Sequence, residues 1–593
     1  MKGVSCVSLR IHGIAVFCAI ASLAVAEAVF PKPGWKDAPD PLAAPNAVPG
    51  GEVSNFSGQS PKSLNYYLDN SVTASDVFSR LFETLLAADP ITYEDRPALA
   101  NKWSISDDQK VFTLWLDPKA KWSDGRPVTA EDVKWTFDAI LDPKNLTGPF
   151  KTIMEPLNSP DILDERTVRF TAKEVHWRNL EAIGGFPIMA KHAYAGKDFN
   201  LIHFEFPVVS GPYRLGEWKE GLYVTIIRRP DWWAIDLPSS KGTHNFQTIR
   251  FKFMDDRNNA FEAFKKGELD IYPVYTSRIW VNETSGGAFD KNWIVKQNVH
   301  NYEPARMQGW AMNMRKPPFD DVRVRKAMAM LLNRWKMNET IMYNQYKMHK
   351  AYWEDLYDAE HPCPREPLPF DKTAARQLLA EAGWRPNPQT GVLEKDGKPF
   401  VFRMLERDPA FAKFNAIYAE DLKEVGIRME VDQKDWASWV KDMDNFNFEM
   451  TSCAWGSSIR KDPEMMWHSK TGKVTGGNNY CGFADPAVDA LIEQQKTIFD
   501  ITKRHDICRQ IDQMLYDQHP YALSWYADSI RMLYWAKFGT PPTVLTKFGA
   551  ESGALTYWWY DEDAAAELQD AMANNRSLPK KEFEVYFDKT FKR

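Results

Sequence analysis

Cysteine is scarce in this chain. There are six in 593 residues, with no CxxC pair and no zinc-type spacing, which excludes a disulfide-dense small fold and a zinc-stapled one. Cys363, Cys453, Cys481 and Cys508 leave one disulfide open, with a pairing that the sequence does not choose. No basic tract is present, and 74 Lys and Arg against 80 Asp and Glu give a formal charge of −6. A mildly acidic chain of this kind is not suited to nucleic acid. The apolar run Ile11–Leu23 is short for a membrane span. GxSxG, HExxH and GxxxxGK(S/T) are missing, and Gly211–Glu217 (GPYRLGE) lacks the lysine of a P-loop. A triad assembled from distant residues stays open. His361-Pro362-Cys363 is the close His/Cys pair, and its prolines favour a rigid loop over a ligand pair. No metal or other cofactor is expected.

Hydrophobic residues make up 44% and charged residues 26%, the balance of a globular chain. At this length two or three domains are expected. Aromatics reach 13%, with 23 Trp, and β-rich cores or an aromatic-lined cleft both account for that. Lys2 and Arg10 flank the start of the apolar run, and Ala24-Val25-Ala26 closes it before Glu27. This reads as a signal peptide over 1–26, cleaved near Ala26. Six prolines from Pro31 to Pro49 then read as a flexible mature N-terminus over 27–49.

The stretch Lys121–Phe137 (KWSDGRPVTAEDVKWTF) carries the strongest local signal. Ser123-Asp124-Gly125 is a turn after the predicted strand Val111–Leu116. Thr129 is placed to N-cap a helix, with Glu131 and Asp132 in its first turn against the positive end of the dipole. Val133, Phe137, Ile140 and Leu141 put one apolar stripe on a core. Nothing in that unit is chemically reactive.

As a string, the stretch resembles the signature of the family 5 extracellular solute-binding proteins, the dipeptide, oligopeptide and nickel-binding group. Further blocks match in family order: Phe186–His192 (FPIMAKH), Val208–Trp218 (VVSGPYRLGEW), Phe261–Tyr272, Ala311–Asn333 (AMNMRKPPFDDVRVRKAMAMLLN) and Pro369–Trp384. The resemblance implies an α/β fold of the periplasmic-binding-protein type II (flytrap) kind, with three lobes, two of them main lobes joined by a hinge. Lobe I is expected over 50–88, 209–305 and 535–593, lobe II over 89–208, and lobe III over 306–534. The implied function is the substrate-binding component of an ABC importer, a periplasmic monomer without catalysis. It would capture short peptides between lobes I and III and deliver them to permease subunits in the membrane. A non-peptide solute (metal complex, haem or sugar) is the alternative, and a hydrolase the more distant one.

Peptide-binding members of that family hold their ligand by β-augmentation, main chain to main chain. Their amine-holding Asp falls within the segment that is Phe448–Trp467 here (FEMTSCAWGSSIRKDPEMMW). Cys453 and Ala454 match, Trp455 stands at the acidic position, and Asp462 follows an insertion-like SSIRK. Trp455 either walls the ligand or packs between lobes, and Asp462 is a candidate for the displaced charge. Ala454-Trp455-Gly456 and Gly477–Phe483 resemble the Yej-type branch, whose members bind short peptides and microcin C. Within that block Asn478, Asn479 and Tyr480 are ligand candidates, since Asn carries both donors and acceptors; a plain turn is the other reading. By the same resemblance Asn70, Ser71 and Val72 fall where lobe I meets the ligand main chain. Phe150 falls where lobe II offers a ring, and Trp436 where lobe III presents an indole.

Overall fold

The structure, a computed structural model, describes residues 28–31 and 38–589; the expected signal peptide lies outside the described residues. Its largest sheet has eight strands, in the order Glu584–Tyr586, Ile294–His300, Ile530–Trp535, Ile271–Pro273, Gly50–Phe56, Phe246–Lys252, Tyr223–Arg228 and Tyr213–Lys219. A five-stranded sheet orders Arg428–Gln433, Val401–Glu406, Met450–Trp455, Met307–Met312 and Tyr521–Leu523. A second five-stranded sheet, in the small lobe, orders Ala28–Phe30, Ala100–Ile105, Val111–Leu116, Thr167–Thr171 and Asp161–Asp164.

Two bodies follow from the cores. One continuous cluster joins Val53, Phe251 and Tyr534 of the largest sheet to Phe112, Phe137 and Phe170 of the small lobe. Met307–Met312 instead divides its side chains by the period of a strand. Trp310 and Met312 enter a core with Phe402 and Tyr418, while Met307 and Ala311 enter another with Trp467 and Ile511. Gly309 lets this strand lie against its neighbour, since a Cβ there would sit 2.7 Å from the Ala522 carbonyl oxygen. The chain passes between the bodies at 301–306 and again at 527–529.

Within the small lobe, Asp132 organises the Lys121–Phe137 signature. Its buried carboxylate accepts from Trp122 Nε1 (3.2 Å), Thr129 N and Oγ1 (2.9 Å each) and Lys191 N (2.8 Å). Helix Ala130–Leu141 then lays Val133, Phe137 and Ile140 on the core.

Two expectations change. Ile530–Trp535 pairs with Ile294–His300 in the largest sheet, so the boundary drawn at 534 falls inside a strand; the return crossing ends before it. The 27–49 stretch is not a loose tether where it is described. Ala28–Phe30 adds an edge strand to Ala100–Ile105, and Phe30 stacks on Trp103 at 5.6 Å. Buried Asp40 accepts from the Tyr557 hydroxyl at 3.0 Å. Proline limits ladder bonding but does not prevent docking at an edge.

Candidate ligand-binding cleft

The parallel strands of the first five-stranded sheet end together. Glu406 is in register with Gln433, and Leu405 with Thr451, so Arg407, the loop before Trp436, and Trp455 reach one edge. Met307 pairs with Trp455, and Ser524 N donates to Gln308 O at 2.9 Å, which brings both crossings to that edge. In the largest sheet Phe56 lies beside Lys252, Asn55 beside Ile271, and Val299 opposite Ile530. The carboxyl ends of these strands meet the same crossings. Carboxyl edges at a change of strand order are where open α/β sheets bind ligands. A cavity of about 280 Å³ lies at the crossings, with Tyr275, Arg306, Tyr346, Asp528 and Glu551 on its wall.

Arg407 stands out at the edge of the five-stranded sheet. Its guanidinium lies 5.0 Å from the Trp436 ring and 4.4 Å from Trp439, and the two indoles stack at 5.4 Å. Only its backbone N–H is engaged, by Glu406; among the described residues the guanidinium has no hydrogen bond or ion pair. Trp439 meets Tyr480 at 6.3 Å, and Tyr480 meets Trp455 at 4.9 Å. Trp455 Nε1 donates to the Tyr521 hydroxyl at 3.1 Å. Burial first, then Cys453 and Asp444, push the Tyr480 phenol up to about 12. It is therefore a neutral donor at physiological pH, and no hydrogen bond within the described residues engages it. Pairing of Met450–Trp455 with Val401–Glu406 stops at Thr451. On that flank the backbone of Cys453–Trp455 has no strand partner among the described residues.

The structure brings Trp436 (63% exposed), Trp455 and Tyr480 together with Arg407. The half-buried Asn478 lies two residues from Tyr480, and its amide makes no hydrogen bond within the described residues. In the other body Asn70 is exposed, and Val72, 79% exposed, opens helix Val72–Leu81. Ser71 caps that helix, its hydroxyl accepting from Ala74 N at 3.3 Å.

Four placements differ from expectation. Asn479 is 1% exposed, and its amide bridges Phe483 N and O at 2.9 Å each; it locks a turn. Arg315 clamps the same loop through the carbonyls of Asn479 (3.0 Å) and Tyr480 (2.7 Å). Asp462 is ion-paired with Arg178 of the small lobe. The SSIRK insertion docks there too, with Arg460 on Asp95 at 2.7 Å. Cys453 is buried, and burial pushes its thiol up; with Cys363, Cys481 and Cys508 it is a free thiol. Phe150 packs edge-on against Tyr66 (4.8 Å) and Tyr67 (5.1 Å), joining the lobes. Arg407 escapes sequence reasoning because a lone Arg after a strand is unremarkable; its two indoles come from a later helix.

Two α/β bodies meeting at a cleft, with polar groups on it unpaired among the described residues, define a solute-binding protein of the type II flytrap fold. The chain belongs to the bacterial extracellular solute-binding proteins, family 5, which match it over residues 95–477. It is 26% identical to the "probable peptide-binding protein YejA" of Agrobacterium fabrum (strain C58), over 81% of this chain and 84% of that one. It is 27% identical to the "peptidoglycan-binding protein YepA" of the same strain, over 76% and 82%. The oligopeptide-binding protein AppA of Bacillus subtilis, solved with a nonapeptide, shares the fold at a TM-score of 0.67. Its identity is 20%, over 87% of this chain and 100% of that one. No described helix is long and apolar enough to cross a membrane.

Proposed function

We propose that this protein captures short peptides in the cleft and delivers them to the permease subunits of an ABC importer. It acts in the periplasm as a monomer, after loss of residues 1–26, and catalyses no reaction. The observation that carries this reading is Arg407, an unpaired guanidinium fixed by two indoles beside an open strand flank. An extended peptide supplies partners for both: main-chain amides for the flank and a terminal carboxylate for the fork of N–H donors. Holding the guanidinium in place beforehand lowers the ordering cost of binding. The similar YejA and AppA proteins, a probable peptide-binding protein and an oligopeptide-binding protein, support the same ligand class.

A thermal-shift screen of tri- to pentapeptides tests this. A bound peptide at a hundredfold excess over its dissociation constant should stabilise the fold by about 2.7 kcal/mol, and it should be recovered uncleaved. A sugar or metal complex that raises the melting temperature while no peptide does would overturn the reading.

A further inference from the structure

The strand Met450–Trp455 runs directly into a bridge between the two bodies. Residues 456–462, the SSIRK insertion among them, reach the small lobe. There Arg460 donates to Asp95 Oδ1 at 2.7 Å and to the Tyr93 carbonyl at 3.1 Å. Its guanidinium lies 5.6 Å from the Tyr93 ring, and Asp462 pairs with Arg178 beside it. The bridge is fastened to its own body as well. Lys461, 3% exposed, pairs with Asp355 at 2.6 Å and donates to Ser458 O at 2.6 Å. The Ile459 carbonyl accepts from His505 Nε2 at 2.8 Å. Charge-assisted bonds of this kind are the strong ones, and a segment tied on both sides is a fixed wall.

Strand register sets how far that wall stands from Arg407. Leu405 lies beside Thr451 in a parallel pair, so Arg407 leaves the sheet level with Cys453. From there the open flank offers Cys453, Ala454 and Trp455, and the strand ends where the bridge begins. At about 3.3 Å per residue, that is room for about three residues of an extended peptide.

We propose that the 456–462 bridge is a length stop. With the ligand carboxylate on Arg407, the third or fourth residue back from it meets the bridge, and the cleft selects tri- and tetrapeptides. A longer ligand must displace Arg460 from Asp95, or leave the flank and forfeit its main-chain bonds. Either route gives up at least one strong hydrogen bond. This rests on the peptide reading above and adds the length that the reading leaves open.

The test offers the full chain one peptide sequence grown at its amino end from two to eight residues, with affinities by calorimetry. Wild type should bind best at three or four residues and about tenfold or more weaker at six. Arg460→Ala should flatten that fall while holding the tripeptide within about threefold of wild type, which shows the variant is folded. Asp95→Ala, on the opposite body, should flatten it in the same way. A variant that weakens every length equally would make the bridge a clasp between the bodies and overturn the stop. A wild type whose affinity does not fall beyond four residues overturns the stop and leaves the peptide reading standing. A wild type that binds no peptide of any length overturns both.

Discussion

Asp132 in the small lobe and Arg407 at the edge of the five-stranded sheet are both charged groups set beside tryptophan. Asp132 is 3% exposed and takes four hydrogen bonds from Trp122, Thr129 and Lys191. Arg407 is half-buried between Trp436 and Trp439, and its guanidinium takes none. Burial of a charge is tolerated when its partners are internal, and the group then belongs to the fold. A charge fixed in place by indoles yet without a hydrogen bond or ion pair among the described residues keeps its donors free for a ligand. The signature that identifies the family is therefore structural, and the proposed recognition site is where polar groups stay unpaired among the described residues.

Breaking the first region should cost stability and leave affinity alone. Asp132→Ala strands several buried donors and should destabilise the protein by about 3 kcal/mol, measured by denaturant unfolding. Ligand affinity in the folded fraction should be unchanged; a matching loss of affinity would erase the contrast.

Breaking the second should do the reverse. Arg407→Ala should weaken peptide binding by about 2 kcal/mol, while unfolding of the unliganded protein shifts by less than about 0.5 kcal/mol. Arg407→Lys keeps the charge but loses the planar fork, so it should fall between. Titration calorimetry decides this. Trp455→Ala should weaken binding by about 1 kcal/mol with the fold retained; an unfolded variant would make Trp455 a packing residue.

The neighbours Asn478 and Asn479 sharpen the comparison over one residue. Asn479→Ala should cost about 1 kcal/mol of stability through its lost bonds to Phe483. Asn478→Ala should leave stability within about 0.5 kcal/mol and act only on affinity. Thermal melts with and without peptide separate the two.

A further contrast concerns Glu83, in the joint between the small lobe and the largest sheet. Burial pushes its carboxyl up to about 7, against the opposing hydrogen bonds from Trp233 and Trp232. A folded value above the unfolded one gives a contribution complete below about pH 4.5 and lost as pH rises through 7. The melting temperature should therefore decline from pH 5 to pH 8 more steeply in wild type than in Glu83→Gln.

Much of this was legible in the sequence. Thr129 and Asp132 announce the cap, and Val133, Phe137 and Ile140 the buried stripe, because those signals are local. Trp436, Trp455 and Tyr480 were singled out by their position in the family order, and the structure groups them around Arg407. Asp462 pairs with Arg178 of the small lobe, a partner across the fold that spacing does not show, whereas Asn479 bonds Phe483 four residues on, the plain turn that the sequence left open. Arg407 did not stand out for the complementary reason, since what distinguishes it is a guanidinium without a hydrogen bond or ion pair among the described residues.

By itself, then, the sequence determined the elements and the family, because caps, turns and apolar periods act within a few residues of one another. The tertiary structure decided which charges are satisfied and which remain available. That depends on distant segments meeting, as Arg178 meets Asp462, and on where one strand outruns its neighbour, as Met450–Trp455 does at Thr451.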